Sequence, residues 1–209
     1  VSTPLPAPLL DRREARKASR AYYKMREIGM SCALEPARRS VHLCEAPGGF
    51  VQAVGDDLAD AAWTWTAVSL PDGAERVPTP EWQVLPMDRG AFLALDVREA
   101  ADALPSGEAD LVTADGAVDM DHDHLEERHF ELLLAQTRCM LHCAREGATY
   151  VCKFFEGSER CTLAFLAFLG HRFRSISLLK PTASRPTNSE RYVVCRGLLG
   201  DGANDRLLE

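Results

Sequence analysis

At 209 residues, 46% apolar and 26% charged, the chain is long enough for one well-buried domain and too short for two of ordinary size. No apolar run reaches the roughly 18–20 residues that span a bilayer, and the N-terminus lacks a signal-peptide core, which argues against a membrane or secreted protein. The net charge of −7 argues against a nucleic-acid binder only until it is divided along the chain. Nine basic residues lie between Arg12 and Arg39 against three acids, and six between Arg172 and Arg196 against Glu190 alone. Residues 61–127 hold fifteen acids against three arginines. If the basic ends meet in space they form one positive surface suited to an anionic polymer. The alternative is two solvated helix faces.

Residues 1–10 hold three prolines and no period, the pattern of an arm. Ala15, Ala18, Tyr22, Met25 and Ile28 recur at helical spacing, predicting a helix over 12–29 that Gly29 stops. The β-branched and apolar run 41–45 predicts the first strand, and Pro47-Gly48-Gly49 turns it into a helix over 50–58. Strands follow over 63–70, 92–97 (ending in Asp96) and 109–114, with a short extra strand over 82–85. The loop 119–124 carries His122, His124 and three aspartates, but no second cluster completes a coordination sphere, so no metal is expected. A long helix over 125–144 precedes a strand over 147–155 and a helix over 158–169 capped by Ser158. Strands over 173–179 and 191–199 flank a loop rich in hydroxyls.

Strand and helix alternate, so the expected fold is α/β, with a mostly parallel seven-stranded sheet and helices on both faces. The last two strands lack room for a helical crossover, which makes the last strand antiparallel. Most of the seven cysteines sit in apolar runs as Cys44, Cys152 and Cys195 do. That is the pattern of buried free thiols, and it implies a reducing compartment, nucleus or cytoplasm. The first residue is Val, so the expected chain is a piece of a longer one.

Two features carry chemistry. The turn after Glu45 lies where open α/β sheets bind ligands, yet neither phosphate-loop pattern is present and Glu45 would repel a pyrophosphate. A ligand with a free ribose and a positive centre suits it better. Lys153 interrupts an apolar strand, and a lysine there needs an anionic partner, a shifted pKa or the strand's open end.

Several stretches resemble the FtsJ/RrmJ-like ribose 2′-O-methyltransferases. They are Ser19-Arg-Ala-Tyr-Tyr-Lys24-Met-Arg-Glu-Ile28, Cys44-Glu-Ala-Pro-Gly-Gly-Phe50 and Asp110-Leu-Val-Thr-Ala-Asp115-Gly. Val151-Cys-Lys153-Phe-Phe-Glu156 and the run from Lys180 through Ser184-Arg185 and Glu190 to Val194 complete the set. The resemblance covers Ala18 to Leu198 and implies a Rossmann-like methyltransferase fold: an arm over 1–11, one methyltransferase domain over 12–200 and a tail over 201–209. It implies S-adenosyl-L-methionine as cofactor and a catalytic tetrad of Lys24, Asp115, Lys153 and Glu190. It further implies cofactor contacts from Glu45, Ala46, Pro47, Gly48, Gly49, Phe50, Ser69, Asp96 and Asp115, and RNA contacts from Arg16, Arg20, Tyr22, Lys180, Ser184 and Arg185. Many members end the second strand in an acid for the cofactor ribose. Here Ser69 or Leu70 stands at that place, with Asp72 in the following turn.

Lys153 is the candidate base for the ribose hydroxyl: partial burial and the second cation, Lys24, favour a neutral amine, while Asp115 and Glu190 oppose that shift but orient the two ammonium groups. The loop and the Cys-Lys-Phe-Phe-Glu run resemble the mRNA cap-methylating branch more than the ribosomal one. The expected substrate is therefore the first transcribed nucleotides of capped mRNA, methylated by this chain as part of a larger polypeptide or capping complex. Ribosomal or transfer RNA is the alternative. A non-catalytic RNA-binding subunit and a small-molecule methyltransferase also remain open.

Overall fold

The structure is a computed structural model that describes residues 17–74, 85–118 and 125–200. Arg16, most of the 82–85 segment and the 119–124 loop lie outside the described residues. In chain order the elements are α1 (Ala21–Ser31), β1 (Ala37–Leu43), α2 (Gly49–Asp57), β2 (Ala59–Ser69), α3 (Pro71–Ala74) and β3 (Gly90–Ala94). Then follow β4 (Ala109–Ala114), α4 (Leu125–Cys143), β5 (Ala144–Phe155), α5 (Arg160–Arg172), β6 (Phe173–Leu179) and β7 (Glu190–Leu198). One seven-stranded sheet runs β3-β2-β1-β4-β5-β7-β6. All pairs are parallel except those of β7, which inserts antiparallel between β5 and β6. This is the Rossmann-like arrangement expected, with the order reversing between β1 and β4.

Side-chain alternation divides the core in two. Tyr22, Met25 and Ile28 of α1 and Phe50, Val51 and Val54 of α2 pack on Trp63, Trp65, Leu111, Val151 and Tyr192. Leu133, Met140, Phe165 and Leu169 of α4 and α5 pack on Leu43, Val112, Tyr150, Cys152 and Val193. Each large apolar side chain buried this way contributes about 1.5–3 kcal/mol. Cys139, Cys143, Cys152 and Cys195 lie in the core as free thiols. Among the described residues no helix is long and apolar enough to cross a membrane.

Strands β1, β2, β3 and β5 start two to four residues earlier than expected, and α1 runs through Gly29, the expected stop, to Ser31. Three further differences have a visible cause. Helix α1 begins at Ala21, because the preceding backbone bonds sideways: Ala18 N–H donates to Gln52 Oε1 at 2.8 Å, and Ala21 N–H to Ser19 Oγ at 3.2 Å. Strand β3 ends at Ala94, and Asp96 lies beyond it, accepting the Arg98 N–H at 2.9 Å and pairing with its guanidinium at 3.0 Å. Ser158 does not cap α5; the cap position is Glu159, with no side-chain bond to the helix. Glu126 of α4 does that work from across the fold. Its carboxylate accepts the Ser158 N–H at 3.2 Å, the Ser158 hydroxyl at 2.9 Å and the Glu159 N–H at 3.1 Å.

Candidate active site

Sheet register assembles the site. Leu43 pairs with Ala114, Ala114 with Cys152, and Lys153 with Tyr192. The next residues, Cys44, Asp115 and Lys153, therefore stand with Tyr192 in one row at the carboxyl edge, with Glu190 opposite Phe155. Alternation puts Lys153, Tyr192 and Glu190 on the face covered by α1, which brings Lys24 over them.

All four tetrad residues meet there. Lys24 Nζ lies 2.8 and 2.9 Å from the two carboxylate oxygens of Glu190. Lys153 Nζ donates to the Asp115 carbonyl at 2.7 Å and lies 3.3 Å from Asp115 Oδ1 and 4.0 Å from Glu190 Oε2. Lys153 and Glu190 are each only 5% exposed. The sequence left Lys153 an anionic partner, a shifted pKa or the strand's open end, and the structure provides two anionic partners. Burial alone would raise the Glu190 pKa, but bonds from Lys24 and from Ser184 Oγ (2.6 Å), with the charges of both lysines, hold it below the usual carboxylate range. Two cations against two carboxylates make a neutral cluster, the condition under which buried charges are tolerated.

The β1–α2 turn is built differently from the expectation in one respect. Glu45 Oε1 accepts the Phe50 N–H at 2.6 Å and the Val51 N–H at 3.1 Å, so its own carboxylate fills the N-terminus of α2. A phosphate is thereby excluded from the one place in this turn where helix N–H groups would bind it. Burial, then the Asp115 charge, push the Glu45 pKa up to about 8 against the pull of those two N–H bonds. The two glycines divide their work. Gly48 adopts a left-handed φ of 106°. A Cβ on Gly49 would lie 2.3 Å from Ser19 Oγ and 2.8 Å from Tyr22 N, so Gly49 serves the close docking of α1 on α2.

Ser69 Oγ accepts the Ala46 N–H at 3.3 Å and so steadies the turn from the end of β2. Asp96 stands past β3 at the same sheet edge, paired with Arg98. Arg20 and Arg185 are exposed on the α1 side and in the β6–β7 loop. Lys180 folds back onto Asn188, donating to its carbonyl. Ser184 is buried on Glu190. Tyr22, expected at the RNA surface, is a core residue: 1% of it is exposed, its hydroxyl donates to Asp56 at 2.8 Å, and Lys17 covers its ring at 4.2 Å. No ring face remains for a base.

Two participants escaped the sequence reading. Tyr192 donates its hydroxyl to Asp115 Oδ1 at 2.6 Å and packs on Phe50 at 6.0 Å, joining the tetrad to the β1–α2 turn. Burial, with the charges of Asp115 and Glu190, keeps that phenol protonated. Its place two residues after Glu190 in a strand was the available signal. Gln136 of α4 accepts the Gly116 N–H at 3.1 Å and holds the turn after Asp115; only helical spacing marked it.

A family model described as FtsJ-like methyltransferase matches residues 18–198. The chain is 30% identical over 202 residues to a Drosophila melanogaster protein named cap-specific mRNA (nucleoside-2′-O-)-methyltransferase 2, covering 84% of this chain and 29% of that one. It is 28% identical over 188 residues to an AdoMet-dependent rRNA methyltransferase of Mycosarcoma maydis, covering 86% and 19%. The chain thus spans less than a third of the length of either relative. A crystal structure of a putative ribosomal RNA methyltransferase from Plasmodium falciparum shares the fold, with TM-score 0.67 and 19% identity over 88% of this chain and 99% of that one.

Proposed function

Because the chain belongs to the FtsJ-like methyltransferase family, we propose that it methylates a ribose 2′-hydroxyl of RNA, and that its substrate is the first transcribed nucleotides of capped mRNA. The carrying observation is the meeting of Lys24, Asp115, Lys153 and Glu190 beside the β1–α2 turn. A non-catalytic subunit has no use for a buried and a half-buried lysine held by two carboxylates.

The turn residues fit S-adenosylmethionine, which supplies an electrophilic methyl group when bound. The carboxyl ends of β1 and β4 face each other where the strand order reverses, the usual ligand crevice of such sheets. Asp115 supplies the negative charge that a sulfonium or an ammonium wants. The buried Glu45, its pKa pushed up to about 8, would be drawn into its charged form by a cation bound beside it, and it denies the helix N-terminus to phosphate. Ala46, Pro47, Gly48, Gly49 and Phe50 would line the methionine side, and Ser69 and Asp96 the adenosine side.

Lys153 Nζ, once it has released its own proton to solvent and become a neutral amine, is the group positioned to take the hydroxyl proton. Asp115 fixes it through both a carbonyl and a carboxylate oxygen, and Glu190 fixes Lys24 beside it. Holding hydroxyl and methyl in line can contribute about 7–11 kcal/mol, and a positioned base a further factor of about 10²–10⁴. The cap reading is supported by relatives so named at 29–31% identity over 75–93% of this chain. The fungal rRNA relative at 28% identity favours ribosomal RNA as the second reading. Tritium transfer from labelled S-adenosylmethionine onto capped and uncapped RNA of one sequence separates them. Label should appear in the ribose next to the cap, and Lys153→Ala should lower the rate at least about 100-fold. Equal labelling of both RNAs would sink the cap assignment, and full activity in Lys153→Ala the base.

A further inference from the structure

Helix α1 presents Arg20, Lys24 and Glu27 at positions i, i+4 and i+7, one face of a helix. All three end on the β6–β7 loop or its exit into β7. Arg20 Nη2 donates to the Ala183 carbonyl at 3.3 Å, and Lys24 binds Glu190. Glu27 makes the densest set: Oε1 accepts the Thr182 N–H at 2.7 Å, while Oε2 accepts the Thr182 hydroxyl at 2.9 Å and the Ala183 N–H at 3.2 Å. Ser184, next in the chain, donates to Glu190 Oε1 at 2.6 Å. The contacts close a ring from Glu27 through residues 182–184 to Glu190, to Lys24, and back to α1.

We propose that Glu27 is a positioning residue that clamps the β6–β7 loop onto α1 and so sets where Glu190 and Lys24 stand beside Lys153. Its carboxylate takes three donors from two adjacent loop residues, and charge-assisted bonds of this kind are about twice as strong as neutral ones. Without it, residues 182–183 lose their acceptor, Ser184 is freed to leave Glu190, and the Lys24–Glu190 pair can drift from Lys153. Arg185, the exposed basic residue that follows, moves with the same segment. The effect on methyl transfer rests on the proposed RNA 2′-O-methylation, whereas the clamp itself does not.

The experiment compares wild type, Glu27→Ala, Glu27→Gln and Thr182→Val by amide hydrogen exchange and by methyl transfer. Glu27→Ala should speed exchange at residues 182–184 by about 10-fold or more and leave β4 and β5 protected. Its kcat should fall by about 10- to 100-fold, as a displacement near 1 Å does, with the KM for S-adenosylmethionine unchanged. Glu27→Gln keeps one acceptor and should recover part of the rate. Thr182→Val removes one donor of three and should show the smallest loss; it also carries the test if Glu27→Ala does not fold. Unchanged exchange in the loop overturns the clamp, and unchanged kcat with faster exchange overturns the positioning role. If wild type transfers no methyl to RNA, the functional reading falls, and the exchange result still decides the clamp.

Discussion

A carboxylate that caps a helix and would also line the proposed ligand crevice carries two loads, and Glu45 is placed for both. The N–H groups of Phe50 and Val51 converge on Oε1, while burial and Asp115 push its pKa up to about 8. A carboxyl whose pKa is raised in the folded state binds its proton there more tightly than in the unfolded chain. Stability tied to Glu45 is therefore fully present near pH 4 and declines as pH rises toward about 8. Glu45→Gln keeps an amide oxygen for both N–H groups and cannot ionise. Its melting temperature should match or exceed wild type at pH 8, with the gap closing toward pH 5. If the ligand's positive charge draws Glu45 into its ionised form, S-adenosylmethionine affinity should nonetheless fall by about tenfold in Glu45→Gln, and by more at pH 8 than at pH 6. Thermal unfolding across pH, paired with calorimetric titration of the ligand, separates the two loads. A parallel loss of both would show that the carboxylate serves the fold alone.

Between elements, the bonds that matter most here join parts distant in sequence. Runs of β-branched and apolar residues made the strands legible, and their alternation with helices made the parallel sheet legible. The reversed β7 followed from the short connection after β6. Helix starts were less legible, because their partners lie elsewhere. Ser158 reads locally as a cap, yet its hydroxyl serves Glu126, thirty-two residues earlier. Burial would raise the Glu126 pKa, but bonds from Thr162, Ser158 and the Glu159 N–H outweigh it and hold it low. Glu126→Ala should lower unfolding free energy by roughly 1–2 kcal/mol near neutral pH, the cost of removing a charged acceptor from the part-buried donors of Ser158 and Glu159 and from buried Thr162. Since the folded pKa is depressed, the gap to wild type should shrink as pH falls below the usual glutamate range of about 4.3. Urea titrations at pH 7 and pH 3.5 test it; a gap independent of pH would mean that packing, not charge, holds α5. Glu126→Gln should lose less than Glu126→Ala at pH 7.

Over the whole molecule, parts of the two basic stretches meet, whereas Arg38 and Arg39 stand at the start of β1, the opposite end of the sheet from the tetrad, and pair with Asp60 and Glu108. Glu27 binds residues 182 and 183, Lys24 binds Glu190, and Arg196 Nη1 donates to the Cys32 carbonyl at 2.7 Å. Charge counting along the sequence suggested one surface from two distant stretches, and α1 lying against the end of β7 is what joins them. The tetrad was expected from the family resemblance, motif by motif, and in the structure each member sits near a strand end or on α1, which crosses those ends. What sequence could not resolve was direction. Tyr22 points into the core, and Lys180, though exposed, folds back onto its own loop; Arg20 and Arg185 are the other expected residues with exposed side chains. If those arginines meet RNA phosphates, binding must weaken with salt, since each phosphate contact on a single strand adds about 0.7 to the slope of log affinity against log salt. Arg185→Ala should therefore reduce that slope by about 0.7 and weaken capped and uncapped RNA alike, without changing S-adenosylmethionine affinity. Arg20 also donates to Ala183, so Arg20→Ala should lower the slope and loosen the loop together. Filter-binding measurements over a salt series read the slopes directly. An unchanged slope in Arg185→Ala would place the RNA path elsewhere on the basic face, and a loss confined to capped RNA would make Arg185 a cap contact instead.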